Sequence, residues 1–188
     1  TIFRMTALAC FASSTAAVAA PEPRTPTGKW VVEYADAQCL AQRKFGTPVK
    51  PVFLVFKQPP VGSILQIAVA DRRGAGPPTQ LDGKLTFDSA KSVNVRLLRY
   101  EPKDTKLRSF LINVPLSHIT VDARTMRIRT DGLDEVFLLP ALQSVFRTLA
   151  DCTADLRRVW HVEAVEVERE PLVGGRQGPL RGIFSGDD

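Results

Sequence analysis

The chain has 188 residues, of which 25 are Lys or Arg and 20 are Asp or Glu, so its formal net charge is +5. Hydrophobic residues make up 44% of it, enough for one domain with a sizeable core. The basic residues are interspersed with acidic ones, and few aromatic residues lie between them. This distribution argues against nucleic-acid binding, which needs clustered Lys and Arg along one surface.

The first twenty residues have the pattern of a secretory signal. Arg4 precedes an apolar run over residues 5–11, and small residues lead to Ala20 before Pro21. A positive start, a short apolar centre and a small-residue cleavage site define such signals. The apolar part is far shorter than the roughly 20 residues of a membrane-spanning helix. We therefore predict a signal peptide truncated at its start, and export to the periplasm; an uncleaved anchor or a cytoplasmic start are the alternatives.

Proline and glycine indicate two linkers that flank one domain. Residues 21–28 (PEPRTPTG) form the first linker, and the Gly- and Pro-rich residues 169–188 form the second. Residues 29–168 between them form the predicted periplasmic domain, in which residues 161–168 alternate imperfectly and add a strand or an extended exit.

Most of the domain alternates with a period of two residues, which indicates β-strands. Residues 74–78 (GAGPP) form a loop, and alternation of polar and apolar residues around Arg96 and Arg127 indicates a sheet with one solvated face. The predicted strands are residues 30–34, 40–45, 51–56, 64–70, 85–87, 93–100, 110–114 and 126–129.

One segment has a helical period instead. From Leu138 to Trp160, apolar residues recur at steps of three and four, and Pro140 suits the first turn. The stripe consists of Leu138, Leu142, Val145, Phe146, Leu149, Cys152, Leu156 and Val159. The predicted fold class is α+β and mainly β: an antiparallel β-sheet or sandwich closed by one C-terminal amphipathic helix.

Two cysteines, Cys39 and Cys152, remain once the segment containing Cys10 is removed. An even number in an exported chain favours a disulfide, and a loop of this length would stabilise the fold by about 4–5 kcal/mol. The alternative is two buried free thiols. The sequence contains no close Cys or His pair that would indicate zinc, since its histidines are His118 and His161.

Three segments resemble catalytic or binding motifs, and each has a simpler explanation. Residues 182–186 contain a serine, but it is displaced by one position from that of a nucleophile elbow. Residues 82–86 lack the glycine spacing of a phosphate loop, so we predict a turn entering a strand. Residues 131–135 contain three carboxylates without EF-hand spacing, so we predict a turn with acidic residues at a helix start.

No side chain is predicted to be catalytic. His118 is predicted to be a surface or edge residue before a strand-like segment, and His161 lies at the helix end, where a cation suits the helix dipole. Trp30 and Trp160 could form a ligand platform but are more simply core anchors. We expect no metal and no cofactor. A hydrolase would need a convergent Ser/His/Asp or carboxylate pair, which the sequence does not indicate.

A family resemblance comes from the two ends of the domain. The opening resembles that of a periplasmic module in alphaproteobacterial, sphingomonad-type exported proteins of the TonB family, in the run Trp30-Val31-Val32-x-Tyr34-x4-Cys39-x3-Arg43-x-Phe45. The end resembles the closing helix of the same module, in the run Leu149-x2-Cys152-x2-Asp155-Leu156-x3-Trp160. In many such proteins a TonB-type C-terminal domain follows, and residues 184–188 resemble the approach to it; that domain itself is missing here.

The resemblance implies a disulfide between Cys39 and Cys152 and implies no catalytic residue. The other motif residues are expected to be structural anchors: Trp30, Tyr34, Arg43, Phe45 and Trp160. We expect a non-enzymatic accessory N-terminal domain of a TonB-like energy transducer in the Gram-negative cell envelope, acting as a spacer or binding an envelope protein. It would touch a membrane only through an uncleaved signal. The alternative is a free-standing periplasmic binding protein for a peptide, lipid or protein.

Overall fold

The computed structural model describes residues 21–35, 38–74, 76–103 and 105–162. Within these ranges the chain forms nine β-strands, one short 3-10 helix at Leu116–His118 and one α-helix, α1, at Leu142–Val159. The strands are β1 (Val31–Ala35), β2 (Gln38–Gly46), β3 (Pro51–Gln58), β4 (Ile64–Asp71), β5 (Thr79–Phe87), β6 (Val93–Tyr100), β7 (Arg108–Pro115), β8 (Thr125–Thr130) and β9 (Leu133–Leu138).

All nine strands belong to one antiparallel sheet in the order β1-β2-β3-β4-β7-β6-β5-β8-β9. Most neighbours in this order are consecutive in the chain, because tight turns suffice to join antiparallel strands. The prediction of a mainly β fold with one C-terminal helix is confirmed. The sequence left a single sheet and a sandwich as alternatives, and the structure contains a single curled sheet.

The sheet curls until its two ends meet on a short N-terminal segment. The backbone of Arg24 exchanges two hydrogen bonds with β9, at 2.7 and 3.0 Å, and the Thr27 N–H donates to the Lys44 carbonyl of β2 at 2.9 Å. Inside the curl, the rings of Phe45 and Phe137 pack in a T-shaped, edge-to-face arrangement with centroids 5.0 Å apart. Part of the segment predicted as a linker, residues 24–27, thus pairs with the two ends of the sheet.

The core lies on the concave face of the sheet. Alternate residues of every strand from β2 to β9 point into it, because successive side chains of a strand face opposite sides. Helix α1 lays its apolar stripe on the same face, and the rings of Phe146 and Phe56 lie 5.3 Å apart. The buried residues of the helix are Leu142, Val145, Phe146, Leu149, Cys152, Thr153 and Leu156.

Residues 131–135 were predicted to form a turn leading into a helix. The turn is present, but a strand and not a helix follows it. Asp131 and Gly132 form a two-residue hairpin turn with Gly132 at φ 75°, and β9 follows. An Asp-Gly pair is a strong hairpin signal, and the inward residues of β9 recur with a period of two. The helix therefore begins at Leu142, after Ala141 at φ 63°, and Pro140 precedes it.

Two smaller predictions also differ from the structure. Residues 82–86 lie inside β5, where Gly83 permits the backbone of β8 to come close: an added Cβ would lie 2.7 Å from the Arg129 carbonyl oxygen. Residues 119–121 form no strand, and His118 ends the 3-10 helix with its side chain exposed, as predicted for a surface residue. The eight other predicted strands correspond to β1–β8.

Candidate functional site

The two cysteines join the helix to the sheet. Cys39 of β2 and Cys152 of α1 lie at disulfide distance, with Cα atoms 6.0 Å apart, and both are buried. A bond here connects positions 113 residues apart and fixes α1 on the inner face of the sheet.

Trp30 and its neighbours contact the chain just before the start of the helix. The Trp30 ring stacks on Phe56 at 5.4 Å, and the Arg43 guanidinium lies 5.5 Å from the Trp30 ring centre. Arg43 Nη1 and Trp30 Nε1 both donate to the Pro140 carbonyl, at 3.2 and 3.3 Å, and Arg43 Nε donates to the Gly28 carbonyl at 2.8 Å. These contacts connect β2, the N-terminal segment and the chain just before α1.

The other expected anchors lie in different environments. Phe45 is fully buried, whereas the Tyr34 side chain is 63% exposed and its hydroxyl donates to Asp155 of α1 at 3.1 Å. This hydrogen bond raises the pKa of Tyr34. Trp160 follows the last residue of α1 and is 41% exposed. Most of the motif residues thus connect the first hairpin to the helix. Because these side chains make contacts within the protein, we assign them a structural role.

A network of buried charges lies inside one end of the curled sheet. Asp71 accepts two hydrogen bonds from Arg108, at 3.2 and 2.7 Å, and two from Arg73, at 3.0 and 2.9 Å. Glu135 of β9 accepts two from Arg24 and lies 3.5 Å from Arg73. The network therefore connects β4, β7, β9 and the N-terminal segment.

The negative charges of the two buried carboxylates are balanced by neighbouring arginines. Asp71, Arg108 and Glu135 are exposed by only 5%, 8% and 9%. Burial by itself would raise the pKa of Asp71, but the hydrogen bonds from Arg108 and Arg73 outweigh it, so the pKa lies below its ordinary value. Because its hydrogen bonds and charges are used within the protein, we assign the network a structural role.

A cleft on the opposite, outer face of the sheet contains exposed charged side chains. β8 pairs with β5 only from Gly83 to Phe87, whereas β5 and β6 continue together to Thr79 and Arg99. At this step a cleft of about 580 Å³ opens, lined by Asp82, Gly83, Lys84, Asn94, Val95, Arg96, Arg129 and Thr130. A smaller one of about 160 Å³ adjoins it, lined by Lys84, Thr86, Ser92, Arg127 and Arg129. We call the two together the basic cleft.

Two cations of the basic cleft face each other across neighbouring strands. Lys84 of β5 lies directly opposite Arg129 of β8, and both are exposed. Like charges in this position destabilise a sheet. Among the described residues neither they nor Arg96 form an ion pair, although Asp134 of β9 lies directly opposite Arg129 and Asp82 lies opposite Arg96. Both oxygens of Asp134 accept hydrogen bonds of 2.8 Å from Arg127 instead.

Neutral donors surround these cations. The hydroxyls of Thr86 and Ser92 lie 2.7 Å apart, and Asn94 lies opposite Lys84. Asp82 is the one acid in the described lining of the basic cleft. Cations together with hydroxyl and amide donors form the usual set that binds oxyanions, so the basic cleft is the candidate site.

Sequence reasoning did not find this site. Its cations come from three strands spread over residues 84–129, and no short motif contains them. The available signal was the alternation of Arg127 and Arg129 with apolar residues, which indicated a solvated face but not what lay beside it.

Several sequence predictions fall outside the described residues or concern absences. The signal segment 1–20, the exit over residues 163–168, the linker 169–188 and the serine of residues 182–186 lie outside the described ranges. In the part of the chain that the structure describes, no group of His, Cys, Asp and Glu side chains could hold a metal ion. Nor is any helix there long and apolar enough to cross a membrane.

Comparisons with protein-family models, with curated proteins and with solved structures found no match for this chain.

Proposed function

We propose that this chain is a non-enzymatic, exported module that serves as the accessory N-terminal domain of a TonB-like energy transducer, as spacer or partner-binding domain. One observation carries the proposal: the two motif segments behind the family resemblance meet in space. Cys39 reaches Cys152, and Tyr34 donates to Asp155. The motifs therefore describe one structural unit, which any protein sharing both would be expected to share.

The cysteine pair also supports an exported location. Stable disulfides form in oxidising compartments such as the bacterial periplasm and are rare in the cytosol. The pair is buried between α1 and β2, where it would act as a structural bond and not as an exposed redox centre.

Export can be tested with the chain as it exists. We would express the full chain in a Gram-negative host, fractionate the cells, and treat each fraction with a thiol-reactive maleimide after unfolding it in denaturant, because both cysteines are buried in the folded protein. We expect the protein in the periplasm, with Cys39 and Cys152 unreactive until reduction. The control is the chain from residue 21 onward, which should stay in the cytoplasm with reactive thiols. Full-length protein in the cytoplasm with free thiols would contradict the proposal.

Membership of a transducer needs a separate test, which is the sequence of the gene on both sides of this chain. A TonB-type domain directly downstream would support the accessory role. A stop codon there would remove it and leave the second candidate, a free-standing periplasmic binding protein. The basic cleft favours that candidate, because a cleft lined by three cations and one acid suits an anionic ligand.

A further inference from the structure

We infer that the basic cleft binds a small ligand that carries two phosphate groups. The inference goes beyond the proposed function, since it concerns a property of the domain itself and holds whether or not the domain belongs to a transducer.

The first argument is the electrostatic cost of placing two cations opposite each other. Lys84 and Arg129 occupy directly opposed positions on an exposed face, an arrangement that is less stable than a neutral or opposite pair. A bound anion between them would convert this repulsion into two charge-assisted hydrogen-bonded contacts. Asp134 of β9 lies opposite Arg129, but both of its oxygens accept hydrogen bonds from Arg127, so the donors of Arg129 are left for an anion.

The second argument concerns the number of charges that the cleft accommodates. Lys84 and Arg129 lie directly opposite each other, whereas Arg96 lies on the far side of β5, opposite Asp82. Neighbouring strands are about 4.8 Å apart, so Arg96 lies roughly two strand spacings from Arg129. One phosphate group between Lys84 and Arg129 would leave Arg96 for a second group. A lining of three cations and one acid thus suits a ligand of several negative charges.

The third argument separates this ligand from larger polyanions. Val95 is the one hydrophobic side chain in the described lining, and no aromatic side chain contributes to it. Single-stranded nucleic acids bind through aromatic stacking platforms, and membrane surfaces bind through apolar side chains that enter the interface. The basic cleft offers neither, so a small soluble anion fits it best.

The test is calorimetric titration of the full-length oxidised chain with inorganic pyrophosphate, and with inorganic phosphate for comparison. We expect saturable binding of pyrophosphate, weakened about tenfold or more in the double variant Lys84→Gln/Arg129→Gln, because two charge-assisted contacts are lost. The matched control is Lys44→Gln/Lys57→Gln, which removes two charges from the outer positions of β2 and β3. Its affinity should stay within about twofold of the unmodified chain, since screening weakens distant charges.

A single variant tests the number of phosphate groups. Arg96→Gln should weaken pyrophosphate binding and leave phosphate binding unchanged. All these side chains are exposed or half-buried, and thermal unfolding of each variant would verify that it folds. Absence of saturable binding, equal weakening in both double variants, or equal effects of Arg96→Gln on both ligands would overturn the inference.

A vesicle arm separates the small ligand from a membrane surface. Co-sedimentation with vesicles of an anionic phospholipid, lost in Lys84→Gln/Arg129→Gln, would overturn the inference in favour of a membrane if pyrophosphate did not bind. The export test above does not depend on the basic cleft, so either result can fail alone.

Discussion

At the scale of single residues, the most consequential contacts are those of Asp71. Its carboxylate lies inside the curled sheet and is held by Arg108 on the adjacent strand and by Arg73 at the end of β4. Arg108 also lies 4.9 Å from the ring centre of Phe110 and 3.7 Å from the position of a Cβ on Gly132.

Replacing this carboxylate should therefore be costly. In Asp71→Asn, Arg108 stays buried while its charge partner is gone, and breaking a buried pair in this way costs about 3–5 kcal/mol. Urea unfolding at neutral pH would measure the free energy of unfolding. Asp122→Asn, which alters an exposed acid, is the control and should change it by less than about 0.5 kcal/mol. Equal effects of the two variants would show that the buried pair is not important for stability.

The same pair determines part of the response to acid. The pKa of Asp71 in the folded protein lies below the ordinary value of 3.8, so the unfolded chain binds a proton more readily. The stabilisation is complete above that value and is lost as the pH falls below it through the folded pKa. We expect unfolding free energy to drop less steeply in acid for Asp71→Asn. A residual slope should remain, because the hydrogen bonds from Arg127 also lower the pKa of Asp134.

At the scale of elements, helix α1 depends on its attachment to the sheet and to the segment before β1. The attachment consists of the cysteine pair, the contacts of Arg43 and Trp30 with Pro140, and the bond from Arg157 to the Pro60 carbonyl in the β3–β4 turn. These contacts lie at the start, the middle and the end of the helix, so the helix is fixed along its whole length.

Removing the cysteine pair should weaken the whole fold. We expect Cys39→Ala/Cys152→Ala to lose about 2–5 kcal/mol of unfolding free energy, because the unfolded chain is no longer closed into a long loop. The measurement is urea unfolding with and without dithiothreitol. Reductant should lower the stability of the unmodified protein and leave the variant unchanged. A reductant effect of the same size in both would show that it does not act through this pair.

Strand β5 depends on a glycine. Gly83 faces the core opposite Thr130, and an added Cβ would lie 2.7 Å from the backbone oxygen of Arg129 and 2.5 Å from Leu97 Cδ1. Leu97 could turn aside, but a backbone carbonyl in a paired strand cannot move freely. This glycine is required by the close approach of β8, at the step where the basic cleft opens.

Gly83→Ala should accordingly destabilise the protein by about 1–3 kcal/mol through overpacking. Without the contact, alanine in a strand would be neutral or slightly stabilising. Gly28→Ala is the matched control, since nothing lies within 4 Å of its added Cβ. Thermal unfolding of both variants measures the difference, and a Gly83→Ala protein as stable as the control would refute the close approach of β8.

At the scale of the whole molecule, closure of the sheet depends on the segment that precedes β1. The Arg24 side chain binds Glu135 of β9, its backbone pairs with the same strand, and Thr27 pairs with β2. Without this segment, the two ends of the sheet would have unpaired backbone groups facing each other, which is costly in a buried or semi-buried position.

A chain that begins at residue 29 should therefore be less stable than one that begins at residue 21, by about 3–5 kcal/mol. Hydrogen exchange should be fastest in β9, where Arg24 no longer covers the backbone. Introducing Glu135→Gln into the shorter chain should restore part of the stability, because a buried amide without Arg24 costs less than a buried carboxylate. Equal stability of the two chains would show that the sheet closes without the segment.

Local patterns were sufficient to predict eight of the strands and the helix, whereas the cysteine pair was predicted from the even number of cysteines and from the family resemblance. Alternation in residues 51–56 and 64–70 reports which side of a strand faces the core, and that signal lies within a few neighbouring residues. The missed strand β9 carries two inward-facing leucine or phenylalanine positions and the inward Glu135. A carboxylate inside a sheet gives no apolar signal until its partner Arg24, 111 residues away, is known.

The sequence by itself thus determined the fold class and the position of the helix, because periodicity and turn residues are local properties of the chain. Only the tertiary structure decided how the sheet closes, which charged side chains form ion pairs, and that Lys84, Arg96 and Arg129 lie on three neighbouring strands. The physical reason is that opposed positions depend on strand order and register, and β8 reaches β5 only after the chain has formed β6 and β7.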